Sequence, residues 1–191
     1  MRGSNSVACM SEVIERYQHL AEQFGARVEA TPDDKWSAPA PCDEWTARDV
    51  VAHVVGSQRR VAAGVNGTDA AEVDADADPK EVWRESNAAV IAALQQPGAL
   101  EKVIPTPMGE MPLEVMLGRL LSLDILVHTW DLARAVGGDE RLDQDAVAHG
   151  YEGIKPMDAM LRRPGAFGPK VDPPAGADLQ TEFLSFLGRT V

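Results

Sequence analysis

An all-α fold, a four-helix bundle with a short C-terminal helical extension, follows from three features of the sequence. Apolar residues recur at spacings of three and four through four long segments that end by Gly137. Residues that start and stop helices bracket those segments. The chain has 191 residues, 45% of them apolar, which is enough to bury one core without disulfide or metal staples. Aromatics are only 5%, so Ala, Val and Leu must fill most of that core.

The first helix is read from about Ser11, a candidate N-cap, to Ala30, with Val13, Ile14, Tyr17, Leu20, Ala21, Phe24 and Val28 on one face. Residues 1–10 are read as a disordered N-terminus or an expression scar, and 11–191 as a single domain. A loop with Pro32, Pro39, Pro41 and Trp36 follows. The second helix opens at Thr46, where Thr46-Ala47-Arg48-Asp49 forms a capping box with Asp in place of Glu. It continues through Val50, Val51, Val54 and Val55 to about Ala63. An acidic stretch rich in Ala and Gly, 66–78, leads to Asp78-Pro79, an N-cap followed by Pro at N1.

That third helix stops near Pro97-Gly98. Residues 100–112 carry Val103, Ile104, Pro105, Pro107 and Gly109 and read as a short hairpin or an extended crossover. Pro112 opens the longest helix, which ends at Val136 with Gly137 as its C′ residue. Asp143–Leu161 reads as a further helix. A Pro/Gly-rich stretch, 164–176, precedes a closing helix over Asp178–Leu187.

Charge and composition exclude several functions. Lys and Arg total 18 against 30 Asp and Glu, a net charge of −12. Such a chain repels phosphate backbones and anionic membranes, so neither nucleic acid nor membrane is an expected partner. No apolar run is long enough for a membrane span. The two cysteines, Cys9 and Cys42, suggest reduced thiols and a cytoplasmic location. There is no Gly-x-Gly-x-x-Gly, Walker loop or Gly-x-Ser-x-Gly element, which disfavours nucleotide chemistry and serine hydrolysis.

The residues that can carry chemistry are few. Asp124 and His128, at i and i+4 in the most apolar helix, meet on one face, and Asp131 continues the stripe. His53 lies among Val50, Val51, Val54 and Val55 of the second helix. If His53 faces the pair across the bundle, two imidazoles and a carboxylate form a divalent-metal triad with open coordination positions. The plainer alternative is a buried His–Asp hydrogen bond that only holds the bundle. His19 and His149 read as surface residues. Asp74, Asp76, Asp78 and Glu85 mimic an EF-hand spacing, but Pro79 stands where the loop needs Gly. Cys42 precedes the second helix and reads as a small loop residue packed under Trp45, or as a thiol of lowered pKa. Trp36, Trp45 and Trp130 read as core anchors.

The segment Trp36…Pro41-Cys42-Asp43-Glu44-Trp45-Thr46…Asp49-Val50-Val51-Ala52-His53 resembles the N-terminal signature of the mycothiol-dependent maleylpyruvate isomerase family, in the DinB-like superfamily. Asp124-Ile125-Leu126-Val127-His128-Thr129-Trp130-Asp131-Leu132-Ala133-Arg134 resembles its second signature. The closing Phe183-Leu184-Ser185-Phe186-Leu187-Gly188-Arg189 is similar to the ending of short actinobacterial metal-binding members. The resemblance implies His53, Asp124 and His128 as ligands of a divalent metal, zinc before nickel or iron. The family's acidic ligand is Glu; Asp124 is one methylene shorter. The resemblance also implies mycothiol as a cofactor and a thiol-dependent transferase or isomerase acting on a small electrophile, with a homodimer as the expected assembly. Asp131 would brace a ligand or act as a general base, or else serve only as a helix-surface or loop-binding carboxylate. The other readings are a non-catalytic metal-binding or structural bundle and, behind it, a metal-assisted hydrolase.

Overall fold

The computed structural model describes residues 3–42, 44–106, 109–162 and 167–191, with side chains from Glu12 onward except that of Met160. Cys9 therefore lies outside the described side chains, as does part of the Pro/Gly-rich stretch. Helix α1 spans Gly3–Ala30, α2 Ala47–Asn66 and α3 Pro79–Leu94. A hairpin of β1 (Val103–Thr106) and β2 (Gly109–Pro112) follows. Helix α4 (Leu113–Val115) runs through a π-helical stretch (Met116–Leu121) into α5 (Ser122–Val136). The chain ends with α6 (Gln144–Ile154), a 3₁₀ turn at Lys155–Met157, α7 (Asp158–Leu161) and α8 (Leu179–Phe186).

Helix α1 already runs through Ser11, so Ser11 is not its cap. The start of α2 matches its sequence signal. The Asp49 N–H donates to the Thr46 hydroxyl, and the Thr46 N–H donates to Asp49 Oδ2 at 2.8 Å. Asp78 caps α3 by accepting from the Lys80 N–H, with Pro79 at N1. Gly137 closes α5 in the left-handed conformation (φ 72°), its N–H donating to Ala133 O. The long helix over Pro112–Val136 forms with one internal change. Between Met116 and Leu121 it widens to π geometry, and Leu117 O accepts from both the N–H and the hydroxyl of Ser122. The predicted helix over 143–161 is shorter, because Pro156 has no N–H and cannot continue the α-helical ladder.

Four helices close a ring in which α1 packs on α3 and α5, and α2 packs on α3 and α5. Their buried faces contribute to one core that includes Tyr17, Phe24, Val54, Val90, Leu126 and Trp130. Helix α6 packs on α5 and α8, which sets the C-terminal part against the outer side of the bundle. The hairpin is pinned by its alternation. Val103 is 59% exposed while Ile104 is 1% exposed. Ile104 sits against α2 at Gly64, where a Cβ would meet its Cβ at 3.1 Å. Among the described residues no helix is long and apolar enough to cross a membrane.

Truncating Ile104→Ala is expected to cost about 2–5 kcal/mol of unfolding free energy in urea titration, because the hairpin loses its anchor in the Gly64 notch. Val103→Ala, on the opposite face of the same strand, should stay within about 0.5 kcal/mol of the parent.

Candidate metal centre

Helix α5 presents Asp124 and His128 one turn apart, and α2 presents His53 from across the ring. Both α5 residues lie beyond the π stretch in regular helix, so their i, i+4 relation is kept. Asp124 Oδ1 lies 3.1 Å from His53 Nε2 and 3.4 Å from His128 Nε2. One donor atom from each residue falls within a set whose members lie within 4.8 Å of one another. The structure thus brings the three predicted ligands together.

Asp131 stands behind this group. It is fully buried, and its Oδ2 accepts from His128 Nδ1 at 2.9 Å. Arg189 grips it with two bonds, Nε to Oδ1 at 3.1 Å and Nη2 to Oδ2 at 2.7 Å. The Cys42 thiol donates to Asp131 Oδ2 at 3.3 Å, and Arg189 Nη2 donates to Cys42 Sγ at 3.3 Å. Cys42 is therefore a member of the polar network and not only a filler of the loop before α2. Trp45 likewise does more than anchor the core. Its ring is stacked 5.7 Å from that of His128 and lies 5.0 Å from that of His53, so it roofs both imidazoles.

No sequence pattern marks Arg189 as part of this network. A single Arg near a chain end carries no periodic signal. The local cue is the preceding Gly188, which adopts φ 85° and whose Cβ, if present, would meet Pro169 O at 2.8 Å. Only Gly passes that point, and the turn it makes delivers Arg189 to α5 with 9% exposure.

The charges interlock. Burial pushes the Asp124 carboxyl up, but hydrogen bonds from His128 and His53 outweigh it and hold the group well below the usual carboxylate range. Burial pushes Asp131 up as well, and His128 and Arg189 bring it down to about 2. His128 is driven down by burial and then raised well above its ordinary value by Asp124, Asp131 and Cys42. A half-buried carboxylate and a fully buried one thus share one imidazole, with Arg189 balancing the second.

A divalent cation fits this donor set. Asp124 Oδ2 is buried with no hydrogen-bond partner among the described residues, an orphan that a cation would satisfy. Asp131, by accepting the Nδ1 proton of His128, fixes the tautomer that leaves the Nε2 lone pair for a metal, the carboxylate–histidine arrangement common behind metal ligands. The donors are nitrogen and oxygen, which suits zinc, nickel or iron. A second grouping, Cys42, His128 and Asp131, is equally compact. It does not suit a cation, because the Arg189 guanidinium already sits against both Asp131 and Cys42. A cavity of about 380 Å³ is lined by His53, Gly56, Arg60 and Val73, so of the three candidate ligands it is His53 that borders it. The acidic loop at Asp74–Asp78 forms a solvated turn, with Asp78 spent as the α3 cap.

The fold and this centre define a helical-bundle protein with a candidate His–Asp–His metal site. The profile of the mycothiol maleylpyruvate isomerase N-terminal domain matches residues 17–133, and the chain belongs to that family. Uncharacterized proteins from two strains of Mycobacterium tuberculosis are each 29% identical over 180 residues, covering 92% of this chain and 96% of theirs. The crystal structure of the mycothiol-dependent maleylpyruvate isomerase superposes with a TM-score of 0.59 at 13% identity, over 73% of this chain and 67% of that one. A His-to-Ala mutant of that enzyme superposes with a TM-score of 0.56 at 12% identity and the same coverage. These similarities establish the fold.

Replacing Arg189→Met is expected to lower stability by about 3–5 kcal/mol in urea unfolding, because it strands the Asp131 carboxylate without its cation. The double variant Asp131→Leu/Arg189→Met should lose less than Arg189→Met alone, since no buried charge is then left unpaired. Equal losses would show that packing, not the ion pair, sets the cost.

Proposed function

We propose that the chain binds a divalent metal through His53, Asp124 and His128 and is a thiol-dependent transferase or isomerase acting on a small electrophile, with mycothiol or a similar low-molecular-weight thiol as co-substrate. The observation that carries this reading is the orphaned Asp124 Oδ2 beside two imidazoles, one of them fixed from behind by Asp131. Family membership supports the thiol. A metal ion held there would supply the positive charge that keeps a thiol deprotonated at neutral pH.

The chain's own residues divide the work. His53, the more exposed imidazole, faces the cavity from which small molecules approach. Trp45 covers the imidazoles and keeps water from that side. Arg60, one of the residues lining the same cavity, suits a substrate that carries a carboxylate. Asp131 holds the Nδ1 proton of His128. Fully buried and bonded to His128, Cys42 and Arg189, it is a positioning residue and cannot reach a substrate as a general base. A non-catalytic bundle is the competing reading, favoured by the way Arg189 ties the C-terminus to the same cluster.

Metal analysis of the purified protein tests the site. Near-stoichiometric zinc, nickel or iron is expected, absent from His128→Ala and bound about 10–100-fold more weakly by Asp131→Asn. At a free metal concentration of 100 times Kd, the parent should gain about 2.7 kcal/mol of stability. No uptake on loading would reject the site.

A thiol-conjugation assay with a generic electrophile separates the two readings. Metal-dependent turnover that disappears in His53→Ala is expected. Equal rates in parent and variant would reject the enzyme, and a melting temperature that falls on chelation without any turnover would establish the structural reading.

A further inference from the structure

A second cavity, of about 360 Å³, lies between α1, the π stretch, α5 and α6. It falls in the range of small-molecule sites. It is separate from the metal centre. On α5 it is lined by Leu123 and Leu126, and at 100° per residue Leu126 points about 200° away from both Asp124 and His128. Its walls are completed by Leu20, Ile154 and Leu161, which makes the interior apolar. The proposed metal-dependent reaction uses none of these residues.

The rim is charged, with two arginines and one carboxylate. Arg16 and Arg119 both border the cavity. Arg16 donates to His149 Nε2 at 2.7 Å, and burial together with Arg16 pushes the His149 pKa down, so this partner is a neutral ring and leaves the Arg16 charge uncompensated. Arg119 has no hydrogen bond or ion pair among the described residues. The carboxylate on the rim, Glu152, is taken by Lys155 at 2.6 Å. Two guanidinium groups thus stand over an apolar interior in a chain of net charge −12. Arg119 is also presented by the π stretch, a geometry frequent at functional sites.

We propose that this cavity binds an apolar monocarboxylate, its carboxylate held by Arg16 and Arg119 at the rim and its hydrocarbon part against Leu20, Leu123, Leu126 and Ile154. The bidentate fit of guanidinium to carboxylate supplies the selectivity, and the apolar walls supply most of the affinity. Gly153 lines the same cavity, and a Cβ there would meet nothing within 4 Å, so a larger side chain can be placed at its mouth without backbone strain.

The test is titration calorimetry of the full chain, without added metal, using sodium decanoate with decanol as the uncharged control. Saturable one-to-one binding of decanoate is expected. Arg119→Gln and Arg16→Gln should each weaken it by about tenfold, and Gly153→Phe should abolish it while leaving the melting temperature near the parent's. His53→Ala should leave it unchanged. Binding of decanol as tight as decanoate, or Arg variants that bind like the parent, would overturn the carboxylate site. No saturable binding, or loss of binding in His53→Ala, would overturn it as well.

Discussion

The ion pair between Asp131 and Arg189 organises the site side of the molecule. A carboxylate with 0% exposure in a Leu- and Trp-rich helix would be prohibitive alone. It persists because its bonding partners converge from separate parts of the chain: His128 one turn back on α5, Cys42 from the loop before α2, and Arg189 from beyond α8. That convergence couples the ring of four helices to the C-terminal segment. It also fixes the His128 ring, since a carboxylate held from behind by a guanidinium has little freedom to turn away.

Helix α5 is the element through which everything passes. One face carries Asp124, His128 and Asp131 toward α2 and the C-terminus, and another carries Leu123 and Leu126 toward α6. The π stretch ahead of it takes up an extra residue, which resets the phase between the hairpin and the site-bearing turns. Its cost is a weaker ladder, partly recovered by the Ser122 hydroxyl bonding to Leu117 O. The stretch also turns Arg119 to the rim of the second cavity, so one local distortion serves both sides of the helix.

The family profile ends at residue 133, which includes His53, Asp124, His128 and Asp131 but not Arg189. The candidate ligands thus fall within the matched range, while the guanidinium that pairs with Asp131 comes from the segment after it. The M. tuberculosis relatives cover 92% of this chain, so their similarity extends beyond the profile into that later segment. The polar centre of the bundle is thus tied to a segment that lies outside the matched range.

Periodicity and caps made the helices legible: Thr46 with Asp49, Asp78 with Pro79, and Gly137 all mark ends through local hydrogen bonding that needs no distant partner. The Asp124–His128 pair was legible for the same reason, since helical spacing alone puts them on one face. The hairpin was half legible from its prolines and Gly109. What the chain order could not contain was which distant groups meet. Three residues illustrate this: Arg189 lies 58 positions from its partner Asp131, Cys42 lies 89 away, and Trp45 roofs two imidazoles from separate helices. The π stretch was also hidden, because its widening answers to packing and to no propensity of Met116–Leu121. Local hydrogen bonds and helical spacing are short-range and are written in neighbouring residues. Charge compensation in a buried centre is long-range, and only the folded chain decides who supplies it.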